Sequence, residues 1–264
     1  MRIYTIDAFT NEVFYGNPAG VCLLEETEQK SEAWMQQTAA EMNLSETAFL
    51  VKKGDGEYGI RWFTPSAEVD LCGHATLASA HVLWEEKEVA ETQRITFQSA
   101  GGPLAAFLKE GSIWLDFPSE PPEPAPLNEE LLEALGVETP AVEQNRMDVV
   151  VEVDSEEALR NIVPDMEALA EHTTRGCIVT SLSEEEGIDF VSRCFFPAIG
   201  VDEDPVTGSA HCALGPYWAK RMAKQRFTAK QASKREGIVE VEMHRSRCHI
   251  GGRAVTVMKG EWLA

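Results

Sequence analysis

Short stretches of alternating apolar and polar residues dominate the chain, and this period of two is typical of β-strands. It predicts a strand beyond Gly20 and strands at residues 2–9, 43–51, 59–63, 94–98, 104–107, 113–117, 148–153, 178–181, 188–196, 238–243 and 254–258. Helical spacing is rarer and predicts helices at 32–42 (between the caps Ser31 and Asn43), 128–135, 155–159 and 165–170, with two more that begin at Gly73 and Gly208. Because the strands mostly follow one another directly, we expect an α+β protein with mixed or antiparallel sheets.

One segment of the chain occurs twice, at residues 61–80 and 193–214. Gly73-His74-Ala75 in the first copy returns as Gly208-Ser209-Ala210 in the second. Such a repeat predicts two pseudo-symmetric halves, each a sheet curled round a buried helix. The proline-rich segment 118–126 has the composition of a stiff connector. The predicted halves are therefore residues 1–118 and 119–264, and the last strand can pack with the first half. Five further residues recur at a single spacing of 132 positions: Arg61, Phe63, Pro65, Val69 and Asp70 return as Arg193, Phe195, Pro197, Val201 and Asp202.

Each copy of the repeat leads through an acidic loop to a glycine that opens a helix of small and apolar residues. The helix after Gly73 is apolar on nearly every side, which predicts that it is buried. The first turn of a helix presents backbone N–H groups that attract anions. Two such starts suggest a site for a small carboxylate between the halves. Two core helices without any ligand would fit the same pattern equally well.

Glu46 stands in the strand predicted at 43–51, in step with Leu44, Ala48 and Leu50. Period two therefore places its carboxylate on the same face as three apolar side chains. A carboxylate in an apolar environment costs several kcal/mol unless it is paired, and such a group can act as a general acid or base near neutral pH. An edge-strand acid held by its neighbours Ser45 or Thr47 is the structural alternative.

Other ionisable residues cluster at the two helix starts: His74 in the first copy, and Asp202, Glu203, Asp204 and Ser209 in the second. As the first residue after the glycine, His74 is predicted to lie at the mouth of the loop. Asp204 and Ser209 could equally serve as a capping carboxylate and a first-turn hydroxyl. The sequence has no GxSxG motif, phosphate loop or dinucleotide fingerprint, and Gly101-Gly102 and Gly251-Gly252 are interpreted as ordinary turns. This leaves acid–base chemistry without a cofactor.

The formal net charge of −21 disfavours binding to nucleic acids and anionic membranes. Seven basic residues occur between 220 and 235 without an acid among them, which fits a solvated helix and loop or a charged rim for an acidic substrate. The six cysteines show no zinc-binding spacing. We therefore expect no metal. Met1 leads directly into a strand, so we expect no signal peptide and a location in the reducing cytosol.

Three long motifs resemble those of the phenazine biosynthesis PhzF-like family: NLSETAFL at 43–50, DLCGHATLASA at 70–80 and DEDPVTGSAH at 202–211. The resemblance covers essentially the whole chain in the correct order. It implies a fold like that of diaminopimelate epimerase, in which two barrel-like halves each surround a central helix and the active site lies in the cleft between them. It also implies a homodimer that uses no cofactor.

The resemblance also implies roles for individual residues. The family's acid/base glutamate corresponds to Glu46, its active-site histidine to His74 and its aspartate to Asp204. In the phenazine enzyme the substrate is a dihydro-hydroxyanthranilate, and the glutamate is thought to move a proton from one ring carbon to another. A further group is implied to bind the substrate and its carboxylate: the backbone amides of Gly73 and Gly208, with Ser209.

Cys72 bears on the type of reaction. Relatives with a two-thiol mechanism place a cysteine just before a glycine in each half. Cys72 precedes Gly73, but Thr207 precedes Gly208, so the second thiol is missing. The sequence therefore favours a cofactor-independent isomerase that moves a proton within a small carboxylate-bearing metabolite. A two-base epimerase or racemase of an amino acid, and a non-catalytic carboxylate-binding protein, are the alternatives.

Overall fold

A computed structural model describes residues 1–25, 30–139 and 141–263 and confirms the predicted α+β class. The strands are β1 (Arg2–Ala8), β2 (Asn17–Leu24), β3 (Glu46–Gly54), β4 (Glu57–Phe63), β5 (Glu68–Val69), β6 (Ile95–Ser99), β7 (Gly102–Lys109), β8 (Ser112–Pro118), β9 (Glu123–Ala125), β10 (Val142–Gln144), β11 (Asp148–Glu152), β12 (Gly176–Leu182), β13 (Phe190–Phe195), β14 (Arg226–Gln231), β15 (Gly237–His244), β16 (Arg247–Gly252) and β17 (Ala254–Glu261). The helices are α1 (Glu32–Met42), α2 (Gly73–Glu85), α3 (Glu129–Leu135), α4 (Glu156–Arg160), α5 (Met166–Glu171) and α6 (Gly208–Met222). Among the residues described, no helix has the length and apolar character needed to cross a membrane.

The chain forms two compact units. The first contains Met1–Asp116 and Gly251–Ala264, and the second contains Phe117–Ile250. The sequence placed the division after Pro118 and kept the C-terminal segment with the second half, while allowing its last strand to pack with the first. In the structure β17 pairs with β1, within the first unit.

In the first unit, β3 is an interior strand that lies between two helices. It pairs with β2 in parallel and with β4 in antiparallel orientation. On one face, Phe49 packs with Met35 and Ala39 of α1. The other face lies against α2, in which every residue from His74 to Trp84 except His81 is buried. The predicted burial of this helix is confirmed.

The second unit is built around α6 in the same way. Every residue of α6 from Ala210 to Trp218 is buried. Pro216 lies inside this helix and has no N–H group, so the carbonyl of Cys212 lacks its usual helical donor. The backbone N–H of Glu120 donates to that carbonyl at 3.0 Å instead. A proline is therefore tolerated inside the helix because a neighbouring segment supplies the missing hydrogen bond.

The sequence repeat corresponds to a repeat of topology. The first unit has the series β2 parallel to β3, β3 antiparallel to β4, β4 parallel to β6 and β6 antiparallel to β7. The second has the same series in β11, β12, β13, β14 and β15. The repeated arginines also match: Arg61 holds both carboxylate oxygens of Glu68, and Arg193 holds both of Glu203. Each guanidinium lies over the phenylalanine two positions later, at 5.1 Å and 4.8 Å.

Two interpretations of the sequence are wrong at this level. The basic segment 220–235 is not a helix and loop, because it contains the end of α6 and then β14. Lys224, Arg226 and Lys230 of this segment pair with acidic side chains. Gly251 and Gly252, interpreted as a turn, end strand β16, where a Cβ on either would collide with an aromatic ring at 2.8 Å or less.

Candidate active site

Glu46 and His74 meet in the first unit. Glu46 opens β3 opposite Ala19 of β2, and His74 is the second residue of α2. Because Phe49 packs against α1, the even-numbered positions of β3 face α2. The Glu46 Oε2 atom lies 3.2 Å from the His74 Nε2 atom. Since β3 is paired on both sides, the alternative of an edge-strand acid is wrong.

The His74 ring is held from its other edge as well. The Nδ2 atom of Asn17 lies 3.3 Å from His74 Nδ1, and the Sγ atom of Cys72 lies 3.5 Å from it. An amide NH₂ group can only donate a hydrogen bond, so with Asn17 in this orientation Nδ1 is the acceptor. The neutral ring then carries its proton on Nε2, the nitrogen that faces Glu46.

Burial sets the charge of His74. The residue is 5% exposed, so it does not lie open at the mouth of the loop as the sequence predicted. This burial lowers the pKa of His74 to about 3. An ionised Glu46 opposes that shift, but an imidazolium without water is strongly penalised. At neutral pH His74 is therefore a neutral N–H donor rather than one member of an ion pair. The 3.2 Å contact with Glu46 does not have the geometry of a hydrogen bond, so Nε2 is a buried donor without a hydrogen-bond acceptor among the described residues.

Glu46, Cys72 and His74 also offer potential metal ligands, whose donor atoms lie within 4.8 Å of one another. Glu46 approaches Nε2 of the imidazole, however, whereas Cys72 approaches Nδ1 on the opposite edge. A metal ion binds a histidine through one ring nitrogen. The contacts thus form a chain through the ring rather than one coordination sphere, and this arrangement suits proton transfer better than metal binding.

In the second unit, Asp204 is fixed by a network that the sequence did not reveal. Its Oδ2 atom accepts a hydrogen bond of 2.5 Å from the Thr207 hydroxyl. The buried Gln231 of β14 donates to the Asp204 carbonyl at 2.7 Å and to Thr207 Oγ1 at 3.2 Å. It also accepts from the Thr207 N–H at 2.8 Å. Ser233 donates to the Pro205 carbonyl at 2.7 Å, so the loop ahead of α6 is held at several points.

The predicted carboxylate-binding glycines begin the two buried helices. Gly73 is the first residue of α2, and Gly208 is the first residue of α6. Their N-cap residues, Cys72 and Thr207, make no side-chain cap hydrogen bond. The N–H groups of the first turns are therefore not occupied by those side chains, as an anion-binding helix start requires.

Ser209 follows Gly208 and contacts Arg175, another residue that the sequence did not single out. The Nη1 atom of Arg175 donates to Ser209 Oγ at 3.1 Å, while its other edge holds the carboxylate of Asp148. Arg175 is 27 residues from Asp148 and 34 from Ser209. No local motif marks a contact between such distant positions.

Comparisons with known proteins agree with this architecture. Residues 6–260 match the family model of phenazine biosynthesis-like proteins, PhzC-PhzF. The chain is 52% identical to an uncharacterized isomerase of Halalkalibacterium halodurans over 262 residues, which covers 99% of this chain and 98% of that protein. A crystal structure of a PhzF-family phenazine biosynthesis protein from Enterococcus faecalis is 45% identical, with a TM-score of 0.94 and coverage of 100% and 99%.

A more distant likeness concerns the fold alone. A predicted epimerase from Pseudomonas aeruginosa superposes with a TM-score of 0.74 at 21% identity, over 100% of this chain and 99% of that one. This confirms the epimerase-like fold that the motifs implied. With the match to the family model across nearly the whole length, the chain belongs to the phenazine biosynthesis-like PhzC-PhzF family.

Proposed function

We propose that this protein is an isomerase that moves a proton within a small carboxylate-bearing metabolite, with Glu46 as the acid and base and with no cofactor. The observation that carries the proposal is the contact between Glu46 Oε2 and the neutral, buried His74 at 3.2 Å. A carboxylate beside a fixed N–H donor can take a proton from carbon and return it elsewhere. The relative from Halalkalibacterium halodurans is also named an isomerase.

In the proposed reaction, Glu46 removes a proton from one carbon of the substrate and delivers it to another carbon on the same face. His74 would donate from Nε2 to the carboxylate or to a polar substituent of the substrate as charge develops. Asp204, held by Thr207 and Gln231, would bind a second polar substituent. The remaining proposed contacts bind the substrate carboxylate: Gly73, Gly208 and Ser209.

The second helix start supports isomerisation over a two-thiol racemisation. Cys72 lies beside His74 at the start of α2. Thr207 has the corresponding position before α6, and its hydroxyl donates to Asp204 at 2.5 Å. A hydroxyl engaged in that way is a poor replacement for a thiolate base. One acid/base group therefore serves the reaction. A single group is enough to move a proton between two carbons on the same face of the substrate.

The proposal is tested by proton NMR in D₂O, with the dihydro-hydroxyanthranilate and a panel of unsaturated or amino-substituted carboxylic acids. We expect wild-type protein to introduce deuterium at a carbon of at least one acid. Glu46→Gln keeps the side-chain size but removes the base, so exchange should fall about 10²- to 10⁴-fold. Glu57→Gln, which changes an exposed glutamate of β4 in the same unit, is the matched control and should exchange like wild type.

Thermal unfolding of each variant separates loss of chemistry from loss of fold. Equal exchange by Glu46→Gln and wild type would remove Glu46 from the reaction. Tight binding of one acid without any exchange would instead assign the protein to the non-catalytic carboxylate binders.

A further inference from the structure

The Arg175 side chain is fixed in place by a buried carboxylate. Asp148, whose side chain has no exposed surface, begins β11 opposite Gly176, the first residue of the parallel strand β12. Arg175 precedes that glycine. Its Nε atom donates to one oxygen of Asp148 at 2.7 Å, and its Nη2 atom donates to the other. Such a bidentate contact defines the plane of the guanidinium and leaves it little freedom.

The guanidinium of Arg175 also packs over the ring of Phe196, whose centre lies 4.9 Å from the guanidinium carbon. Gly176 makes this arrangement possible. A Cβ at that position would lie 2.1 Å from the Phe195 carbonyl oxygen and 2.3 Å from the Phe196 ring. Arg175 is thus held by a carboxylate on one edge and an aromatic ring on one face.

The free edge of the guanidinium points to Ser209. Its Nη1 atom lies 3.1 Å from Ser209 Oγ. Since a guanidinium has no acceptor, the serine oxygen must accept this hydrogen bond. The Ser209 proton is then available to a different acceptor, so Ser209 can act as a hydrogen-bond donor at the start of α6.

Arg193 has the same arrangement of a carboxylate and an aromatic ring, but its remaining edge contacts main-chain carbonyls instead of a serine. It also holds a carboxylate with two hydrogen bonds, at 2.7 Å and 3.0 Å, and it also lies over a phenylalanine. Its Nη1 atom, however, donates to the main-chain carbonyl of Ile162 at 2.7 Å. Arg193 therefore fastens one segment of the fold to another, whereas Arg175 directs a side chain of the candidate site.

We infer that Arg175 is a positioning residue that turns Ser209 into a hydrogen-bond donor, and that the pair selects a substrate with an ionised carboxylate at the start of α6. A hydroxyl that must donate binds an anionic oxygen more strongly than a neutral amide oxygen. The positive charge of Arg175 acts in the same direction. This inference rests on the proposed function, in which Ser209 binds the substrate carboxylate.

The test compares the affinity of the protein for anthranilate and for its neutral carboxamide, anthranilamide, by isothermal titration calorimetry. Arg175→Lys keeps a positive charge beside Asp148 but loses the planar fork, and Ser209→Ala removes the hydroxyl. Each should lower the preference for the acid about tenfold, the usual effect of one hydrogen bond to a charged oxygen. If Arg175 acts through Ser209, the double variant should lose no more than either single variant.

Arg193→Lys is the matched control, because it makes the same change in the same unit at an arginine whose hydrogen bonds, among the described residues, go to Glu203 and to main-chain carbonyls. It should lower the unfolding temperature and keep the wild-type preference for the acid. Unchanged preference in Arg175→Lys, or losses that add in the double variant, would overturn the inference alone. So would a wild-type protein that exchanges deuterium into acids of the panel and yet shows no preference for anthranilate. Absence of both binding and exchange in wild type would overturn the proposed function, and the inference with it.

Discussion

His74 shows how a single buried side chain can be given both a charge state and a direction. Its burial makes the neutral ring the stable form, with the pKa lowered to about 3. The amide of Asn17 and the thiol of Cys72 occupy the side of Nδ1. A neutral imidazole whose Nδ1 accepts must protonate Nε2. The residue beside Glu46 is therefore a fixed N–H donor, and Asn17 decides which nitrogen carries the proton.

This argument predicts the tautomer of His74. At neutral pH, nitrogen-15 NMR of the ring should show Nε2 protonated and Nδ1 bare. Asn17→Asp replaces the donor with an anionic acceptor, which should move the proton to Nδ1 or make the ring an imidazolium. Cys72→Ala leaves Asn17 in place and should keep the wild-type tautomer. A wild-type ring protonated at Nδ1 would contradict the assignment.

At the scale of elements, close approach of β12 and β13 positions Arg175. The start of β12 touches the main chain at Phe195 and the ring of Phe196, so that only a glycine fits at 176. The adjacent Arg175 can then lie over that ring and reach α6. The packing of β12 against β13 therefore places the Arg175 guanidinium, which contacts the Ser209 hydroxyl at the start of α6.

Gly176→Ala should accordingly destabilise the fold. The new methyl group would lie 2.1 Å from a carbonyl oxygen, and backbone must move to accommodate it. We expect a loss of about 3 kcal/mol in the free energy of unfolding, as for severe overpacking. Gly187→Ala provides the control, since that exposed glycine has a φ of +87° and open space around it. It should cost only about 1 kcal/mol for the left-handed backbone. Similar losses in urea unfolding of the two variants would refute the steric explanation.

Local signals were sufficient for most of the elements but not for the polar network. Ser31 and Asn43 bound the predicted helix at 32–42 and cap α1 as expected, because a cap depends on neighbours within a few residues. β14 was missed, although its buried positions alternate regularly, because the basic residues between them suggested solvent. Arg175 and Gln231 were missed for another reason. Their contacts join residues 24 to 34 positions apart, and a single sequence contains no period at that distance.

At the scale of the whole molecule, acid pH has two opposing effects on stability. The net charge of −21 means that protonating surface carboxylates relieves repulsion and favours the compact state. Protonating a buried neutral histidine instead disfavours the folded state, because the charged ring is not solvated there. Burial lowers the pKa of His211 to about 4, although its hydrogen bond to the Thr207 carbonyl opposes this shift. Its Nε2 atom is buried without a hydrogen-bond partner, so a proton added there would remain unsolvated.

The contribution of His211 can be isolated by its pH dependence. Below a pH of about 6.5 the unfolded chain binds a proton at this ring that the folded protein binds only near pH 4. The stabilisation that comes from keeping this ring neutral is therefore complete above the pKa of the ring in the unfolded chain. It is lost as the pH falls toward the pKa of about 4 in the folded protein. The loss in the free energy of unfolding is about 2 kcal/mol between pH 7 and pH 5. In urea unfolding, His211→Gln should remove that part of the dependence, whereas His244→Gln, which changes an exposed ring, should keep the wild-type slope. If the slope of His211→Gln equalled that of wild type, the buried ring would not be the group that couples folding to acid.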